Sequence, residues 1–174
     1  MADLKKYSFN KYSRKYKQFF NREKIKLKKI FPKAEIEHIG STAVFGLGGK
    51  GIIDIAISVP KNQIQKAIKK LQKNGFEYKP FAGDKERKFF QKIIRGKEKE
   101  KRVHIQLTYN NSKTWKSMIA IRDYLKKHKG IAREYEKIKK EAVKYAKGEG
   151  KRYREYKNSF LQKIEKLALK EYSN

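Results

Sequence analysis

The chain has 174 residues, of which 38% are apolar and 13% aromatic, enough for one hydrophobic core and more aromatic than a typical disordered chain. Lys and Arg number 47 against 18 acids, and the resulting formal charge of +29 attracts polyanions and phosphates. The absence of cysteine excludes disulfides, zinc–thiolate sites and a cysteine nucleophile. No apolar run approaches the ~20 residues of a membrane helix, and residues 1–9 lack the apolar core of a signal peptide. We therefore expect one cytoplasmic domain over residues 1–174, with no membrane partner.

The strong positive charge has two interpretations. It can mark a nucleic-acid or nucleotide partner, or it can reflect a composition biased toward lysine, because Lys greatly outnumbers Arg and the charge runs along nearly the whole chain. Charge alone predicts non-specific binding to polyanions and says nothing of the fold. Non-specific nucleic acid is therefore one candidate partner, and the oligomeric state is left open.

The first half of the chain predicts alternating helices and strands. A helix over about residues 14–30 has a ragged apolar face, and a short alternating strand follows over residues 34–39. Residues 52–59 form the most apolar segment, and their β-branched side chains predict a central strand. Apolar residues three and four positions apart predict a helix over residues 62–73.

The second half predicts a hairpin and then helices only. Strands over residues 87–94 and 102–109 are separated by a charged turn over residues 96–101. Three apolar stripes follow at helical spacing, the first ended by Gly130 and the second by Gly148. The order predicts an α+β fold, with a small mixed β-sheet packed on helices. We place this core at about residues 14–109 and a C-terminal helical bundle at about residues 112–172.

A glycine–serine turn and a carboxylate on the next strand indicate a ligand-binding or catalytic site. Gly40 ends a strand, where it lets backbone N–H groups turn toward a ligand, and Ser41 and Thr42 add hydroxyl donors. Asp54 lies on the next strand, where its carboxylate would reach the same phosphate and could hold Mg²⁺. The alternative is a plain turn with a structural acid. We favour a functional Asp54, because an unpaired acid among isoleucines is costly to bury.

Residues along most of the chain resemble one family. They are Glu37-His38-Ile39-Gly40-Ser41-Thr42-Ala43-Val44, Gly46-Leu47, Lys50, Ile53-Asp54-Ile55, Arg87-Lys88-Phe89-Phe90, His104, Arg122-Asp123-Tyr124-Leu125, Ala132-Arg133-Glu134-Tyr135, Lys139, Tyr156-Lys157 and Phe160. This set resembles the GrpB family of the nucleotidyltransferase superfamily, and the block around Gly40-Ser41 is quite specific to that family.

The resemblance implies a nucleotidyltransferase core that binds a nucleotide or another phosphate-containing small molecule, with Mg²⁺ as the cofactor. The phosphate contacts that it implies are Gly40, Ser41, Thr42, Lys50, Arg122 and Lys157, with Lys139 as a further candidate. The metal ligands that it implies are Asp54 and Glu37, and the catalytic residues are Asp54 and His104.

The chain departs from the pattern of active members of the superfamily, which carry two acids one residue apart on the Asp54 strand. Here the second position is Ala56, and His104 stands where a third acid is often found. Phe45 and Gly51 replace two prolines that the family usually has. Two-metal transfer needs several carboxylates to hold ions ~4 Å apart. An enzyme that transfers a nucleotidyl group or cleaves a phosphoanhydride, a non-catalytic binder and a nucleic-acid-associated protein therefore all stay open.

Three further patterns need interpretation. Residues 46–51 match the dinucleotide pattern G-x-G-x-x-G, which we reject because a strand follows them instead of a helix. Glu37 and His38 alternate on one strand, so we expect them on opposite faces, and we expect His104 on the same face as Asp54. The aromatic residues near the N-terminus either stack bases or anchor the first helix on the core, and we favour the anchor. These residues are Tyr7, Phe9, Tyr12, Tyr16 and Phe19.

Overall fold

The computed structural model describes residues 8–96 and 100–173. Tyr7 and part of the predicted charged turn lie outside these residues. The helices are α1 (Lys15–Ile30), α2 (Ile64–Lys73), α3 (Lys113–Lys127), α4 (Lys129–Ala146) and α5 (Gly150–Tyr172). The strands are β1 (Glu35–Ile39), β2 (Ile53–Val59), β3 (Glu77–Tyr78), β4 (Lys88–Arg95) and β5 (Glu100–Tyr109).

The strands form one mixed sheet in the order β1-β2-β5-β4-β3. Strand β2 pairs antiparallel with β1 and parallel with β5, and β4 pairs antiparallel with both β5 and β3. The predicted α+β architecture with a small mixed sheet is therefore confirmed. Strand β2 lies in the interior of the sheet together with both strands of the predicted hairpin.

One face of the sheet is sealed by α1 and α2. Alternate side chains of β2 and β5 point to this face, and the six apolar residues among them are buried with Leu27 of α1 and Leu71 of α2. These sheet residues are Ile53, Ile55, Ile57, Val103, Ile105 and Leu107. The alternation arises because successive side chains of a strand point to opposite faces.

The other face is only partly covered. Helix α3 begins at Ser112, whose side-chain oxygen accepts from the Trp115 N–H at 3.0 Å. From there α3 crosses β1 and β2, where Trp115 and Ile119 pack on Ile39 and Ala56. Helices α4 and α5 pack on α3. Part of this second sheet face, which carries the polar side chains, stays accessible beneath the three C-terminal helices.

Some boundaries differ from the sequence prediction. Gly130 does not end a helix: α3 ends at Lys127, and Gly130 lies in the first turn of α4. The next helix end is placed correctly, although Lys147, with φ 45°, adopts the left-handed conformation before Gly148, with φ 86°. Strand β3 was not predicted, since it is only two residues long. Within the described ranges, none of the helices combines the length and apolar character needed to cross a bilayer.

Candidate functional site

The glycine–serine turn wraps directly around the carboxylate of Asp54. Ile39 pairs with Asp54 across β1 and β2, and Gly40 follows with φ 71° and ψ −171°, a conformation open almost only to glycine. A Cβ at Gly40 would lie 2.6 Å from the Asp54 Oδ2. Ser41 then opens a short 3₁₀ turn, whose hydrogen bonds use the N–H groups of Ala43 and Val44. The absence of a side chain at Gly40 is what allows this close approach.

His104 holds the other side of the same carboxylate. The parallel pairing of β2 with β5 sets Asp54 beside His104, and the His104 Nδ1 lies 3.4 Å from the Asp54 Oδ1. The imidazole is buried, with the ring of Phe89 packed edge-on against it at 4.8 Å. Its Nε2 is enclosed and has no hydrogen-bond partner among the described residues. The predicted placement of His104 on the Asp54 face is confirmed, and the contact orients the carboxylate.

Asp54 is ionised although it is partly buried. Burial acts to raise its pKa, but the hydrogen bond and electrostatic attraction from His104 act in the opposite direction. The ammonium groups of Lys50 and Lys157 add to that attraction, and the pKa of Asp54 ends below its ordinary value. The site therefore presents one negative charge.

Three lysines gather around this charge. The Nζ atoms of Lys50 and Lys157 lie 5.1 and 4.9 Å from the ring centroid of Tyr153. Lys139, from α4, donates to the Gly48 carbonyl. A Cβ at Gly49 would lie 3.1 Å from the Lys139 Nζ and 2.6 Å from the Ser41 Oγ, so this lysine and the serine hydroxyl share one small space.

Burial weakens the protonation of two of these lysines. Burial lowers the pKa of Lys139 to about 7, with repulsion from Lys157 and Lys50 opposed by Glu136 and Asp54. Burial likewise lowers the pKa of Lys157 to about 8. The cluster therefore holds positive charge that is incompletely neutralised by the protein itself.

Two buried tyrosines complete the surroundings. The Lys139 Nζ lies 4.7 Å from the ring centroid of Tyr135, and burial followed by the charge of Asp54 raises the pKa of that phenol. Tyr135 lies in the second of the three predicted apolar helix stripes, and no pattern in the sequence singled out Tyr153. The glycine pattern that contains Gly48 and Gly49 was likewise set aside. A tyrosine in an apolar helix stripe carries no signal that distinguishes a site from a core.

The hydroxyl of Thr42, predicted to contact a phosphate, is hydrogen-bonded within the protein. Its hydroxyl, 2% exposed as a residue, donates to the Ile52 carbonyl at 3.1 Å. That bond uses its only hydrogen, so the His38 Nε2 at 2.9 Å must be the donor to the Thr42 Oγ1. Burial lowers the pKa of His38 to about 4, in agreement with a neutral ring. The threonine therefore joins the turn to both neighbouring strands.

Glu37 and Arg122, predicted to bind a metal and a phosphate respectively, bind each other. The Arg122 guanidinium donates to the Glu37 carboxylate, to Asp123 at 2.8 Å and to the His38 carbonyl at 3.3 Å. The predicted separation of Glu37 and His38 is confirmed, since His38 stacks on Phe20 of α1. Among the described residues, no group of three or more His, Asp or Glu is placed to hold a metal ion.

A cavity of about 650 Å³ opens beside Asp54. Gly40, Ser41 and Asp54 line one part of it, and Arg87 and Gln106, which are hydrogen-bonded to each other, line another. Its remaining wall is largely apolar and comes from α3 and α5, through Met118, Ile121, Leu125, Leu161 and Leu169. A ligand in this cavity would meet the carboxylate and the serine turn at one end and an apolar surface along its side.

The fold is that of the nucleotidyltransferases. The structure superposes on the Cid1 poly(U) polymerase solved with MgATP with a TM-score of 0.54 and 17% identity, covering 79% of this chain and 45% of that chain. The same polymerase solved with MgGTP matches with a TM-score of 0.52 and 20% identity, over 79% and 44%. At this identity the likeness establishes the fold alone.

The chain belongs to the GrpB family, whose profile, described as GrpB protein, matches residues 7–167. The crystal structure of conserved protein GrpB from Enterococcus faecalis superposes with a TM-score of 0.82 and 29% identity, covering 96% of this chain and 100% of that chain. The UPF0157 protein YqkA of Bacillus subtilis is 29% identical over 160 residues, 90% of this chain and 46% of that protein. The glutamate-rich protein GrpB of Alkalihalophilus pseudofirmus is 26% identical over 157 residues, 88% and 90% respectively. The chain thus spans about half the length of YqkA.

Proposed function

We propose that the turn at Gly40-Ser41 and the carboxylate of Asp54 bind the phosphates of a nucleotide, or of another phosphorylated small molecule, together with a divalent cation. The observation that carries this proposal is the gathering of Lys50, Lys139 and Lys157 beside Asp54. Three ammonium groups lie close together here, burial lowers the pKa of Lys139 and Lys157, and an incoming phosphate would stabilise their charged forms. Ser41 adds a hydroxyl donor from the same space.

The donor atoms fit Mg²⁺ that is bound together with phosphate. Mg²⁺ prefers oxygen ligands and is commonly held by one or two carboxylates, with phosphate and water completing its octahedron. Asp54 supplies one carboxylate, and its Oδ2 lies against the glycine turn. When bound, the ion would neutralise phosphate charge and polarise a phosphoryl oxygen. Asp54 would hold it, while His104 keeps the carboxylate oriented.

The proposed activity is transfer of a nucleotidyl group. The support is the fold, whose solved neighbours include a poly(U) polymerase with MgATP or MgGTP bound. The role of His104 in this proposal is to position Asp54, because its Nδ1 faces the carboxylate and its Nε2 is enclosed. Lys139 and Lys157 would neutralise the phosphates, and Lys50 would add a third positive charge beside them.

A non-catalytic nucleotide- or RNA-binding protein is the second candidate. The observation that favours it is Ala56, fully buried under α3, at the position of a second strand carboxylate. Glu37 does not replace that acid, because its carboxylate binds Arg122. Labelled nucleotide incubated with Mg²⁺ and an RNA acceptor separates the two candidates, since only the enzyme releases pyrophosphate.

The binding proposal itself is tested by calorimetry of ATP with and without Mg²⁺ on the wild type and Asp54→Asn. We expect the variant to lose metal-dependent binding and also to lower its melting temperature, because the ionised carboxylate, whose pKa lies below its ordinary value in the folded protein, offsets the charges of the lysines around it. Glu155→Gln, an exposed carboxylate on α5, is the matched control and should change neither quantity. Unchanged ATP affinity with a lower melting temperature would show that Asp54 is only structural.

A further inference from the structure

A second cavity of about 670 Å³ lies on the other side of α3 from the Asp54 cavity. It is formed by α1, by the segment that follows the Ser41 turn, and by the junction of α3 with α4. Arg122 and Leu125 line both cavities and so form their shared wall. Whatever occupies the second cavity therefore lies one side-chain layer from the Asp54 cavity.

Cations from three helices converge on this second cavity. Lys17 comes from α1, Lys126 from α3, and Lys129 and Arg133 from α4, and all four are exposed. None of the four forms an ion pair within the described part of the chain. Burial lowers the pKa of Lys126, and the charges of Arg122 and Lys17 lower it further against the opposing effect of nearby acids. The cavity is thus a place where positive charge is crowded.

The two acids of this cavity are already engaged. Glu37 binds Arg122, and Glu136 accepts from the Gly48 N–H at 2.9 Å and pairs with Lys140 at 2.9 Å. They therefore do little to neutralise the four exposed cations. An anionic ligand in the cavity would neutralise these charges.

Aromatic rings accompany the cations. Phe20 is stacked on His38 at a centroid distance of 4.5 Å inside the cavity. At its rim, Phe45 is 72% exposed and has Tyr12 packed against it at 5.3 Å. A large exposed ring braced by a second ring and surrounded by cations provides both features that a single nucleic-acid strand uses, a stacking platform and charges that follow its backbone.

We propose that this cavity binds single-stranded nucleic acid, with phosphates on Lys17, Lys126 and Arg133 and a base stacked on Phe45. The bases of a duplex are paired and stacked inside the helix and would not contact the rings. An acidic peptide would bind the cations without stacking on the rings. Binding requires only this cavity. A further step rests on the function proposed above. In that step the end of the bound strand passes Arg122, reaches Asp54 and accepts the nucleotidyl group.

The charge contribution is tested with two triple variants of equal net charge. Lys17, Lys126 and Arg133 are changed to Gln in one, and the exposed α2 residues Lys66, Lys69 and Lys73 are changed to Gln in the other. Affinity for a short fluorescein-labelled oligouridylate is measured by anisotropy across a salt series. We expect the cavity variant to reduce the log–log salt slope by about 2 and affinity at low salt about tenfold, with the α2 variant close to wild type. Equal losses in the two variants would show that only the overall charge matters and would overturn the proposal.

The stacking contribution is tested with Phe45→Ser against Phe81→Ser, a fully exposed phenylalanine outside this cavity. We expect Phe45→Ser alone to weaken oligouridylate binding, about tenfold. Tighter binding of duplex than of single strand, or an equal loss toward poly-glutamate, would contradict a single-strand site. Asp54→Asn should leave oligouridylate binding unchanged, and the triple cavity variant should keep Mg²⁺-dependent ATP binding. The two proposals can therefore fail separately.

Discussion

The two faces of strands β2 and β5 are built from alternate residues of the same two strands and differ in almost every physical respect. On one face, Ile55 and Ile105 are 0% exposed and packed under α1 and α2. On the other face, Asp54 and His104 stand directly beside them in sequence and hold a charge, a buried imidazole and an accessible cavity. The alternation of a strand thus separates a stabilising surface from a chemical one by a single residue.

This division lets the sheet tolerate costly groups. Full burial of an isoleucine stabilises by about 1.5–3 kcal/mol, and the apolar face repeats that gain along both strands. An unpartnered buried polar atom such as the His104 Nε2 costs about 1–3 kcal/mol. The first contribution exceeds the second, so the polar face can be arranged for ligands without unfolding the protein. Single substitutions on either face test this account.

The largest effect is expected on the apolar face. Ile55→Ala should lower the free energy of unfolding by about 2–5 kcal/mol, because it leaves a cavity beneath two helices. Urea denaturation gives the value, and ATP affinity below the unfolding transition should be unchanged. Ile93→Ala, at a position 44% exposed on β4, serves as the control and should cost little. A similar cost for both would mean that the apolar face does not dominate stability.

A smaller effect is expected where the turn meets Asp54. Gly40→Ala places a side chain at positive φ and within 2.6 Å of the carboxylate, so it should cost about 1–3 kcal/mol and also abolish Mg²⁺-dependent ATP binding. Gly46→Ala is the matched case, since Gly46 also has positive φ but nothing within 4 Å of a new Cβ. It should show the backbone cost without the loss of binding. If both variants lost ATP binding, the cause would be backbone strain in the loop and not a clash with the Asp54 carboxylate.

The lysine cluster predicts a dependence on pH. The pKa of Lys139 falls from 10.5 to about 7 on folding, so between these values the unfolded chain binds more protons and stability rises with pH. Relative to Lys139→Met, the wild type should gain about 2 kcal/mol between about pH 7 and pH 9, measured by urea unfolding at each pH. Lys137→Met, on the exposed side of α4, should change in parallel with the wild type. A flat difference would place Lys139 in an ordinary aqueous environment.

The smallest effects distinguish the two neighbouring hydroxyls. Thr42→Val should destabilise by about 1 kcal/mol, because the bonds to Ile52 and His38 are lost, while ATP affinity stays the same. Ser41→Ala should do the reverse, with little change in melting temperature and about fivefold weaker ATP binding. Thr42→Ser, which keeps the hydroxyl, should restore stability. If Thr42→Val weakened ATP binding and Ser41→Ala lowered stability instead, Thr42 and not Ser41 would be the residue that contacts the ligand.

The sequence was informative where local pattern decides the structure. The apolar, β-branched run of residues 52–59 predicted β2, and alternation over residues 102–109 predicted β5. His104 was correctly expected on the Asp54 face, and a lone acid among isoleucines marked the candidate site. What escaped prediction depends on distant pairs. Glu37 and Arg122 lie on different elements, and Lys139 reaches Gly48 from α4. No periodicity encodes which distant residue a side chain meets.

The parallel pairing of β2 with β5 has a consequence for the order of folding. Asp54 and His104 are 50 residues apart in sequence and meet only through this pairing, while β4 and β5 are close enough in the chain to pair early. Closing the long segment between β2 and β5 costs entropy before any contact offsets it, which makes such pairings slow. Ligand binding should therefore return with the slowest phase of refolding. A nascent or partly unfolded chain without this pairing, even one with its β4–β5 hairpin formed, lacks the contact between His104 and Asp54.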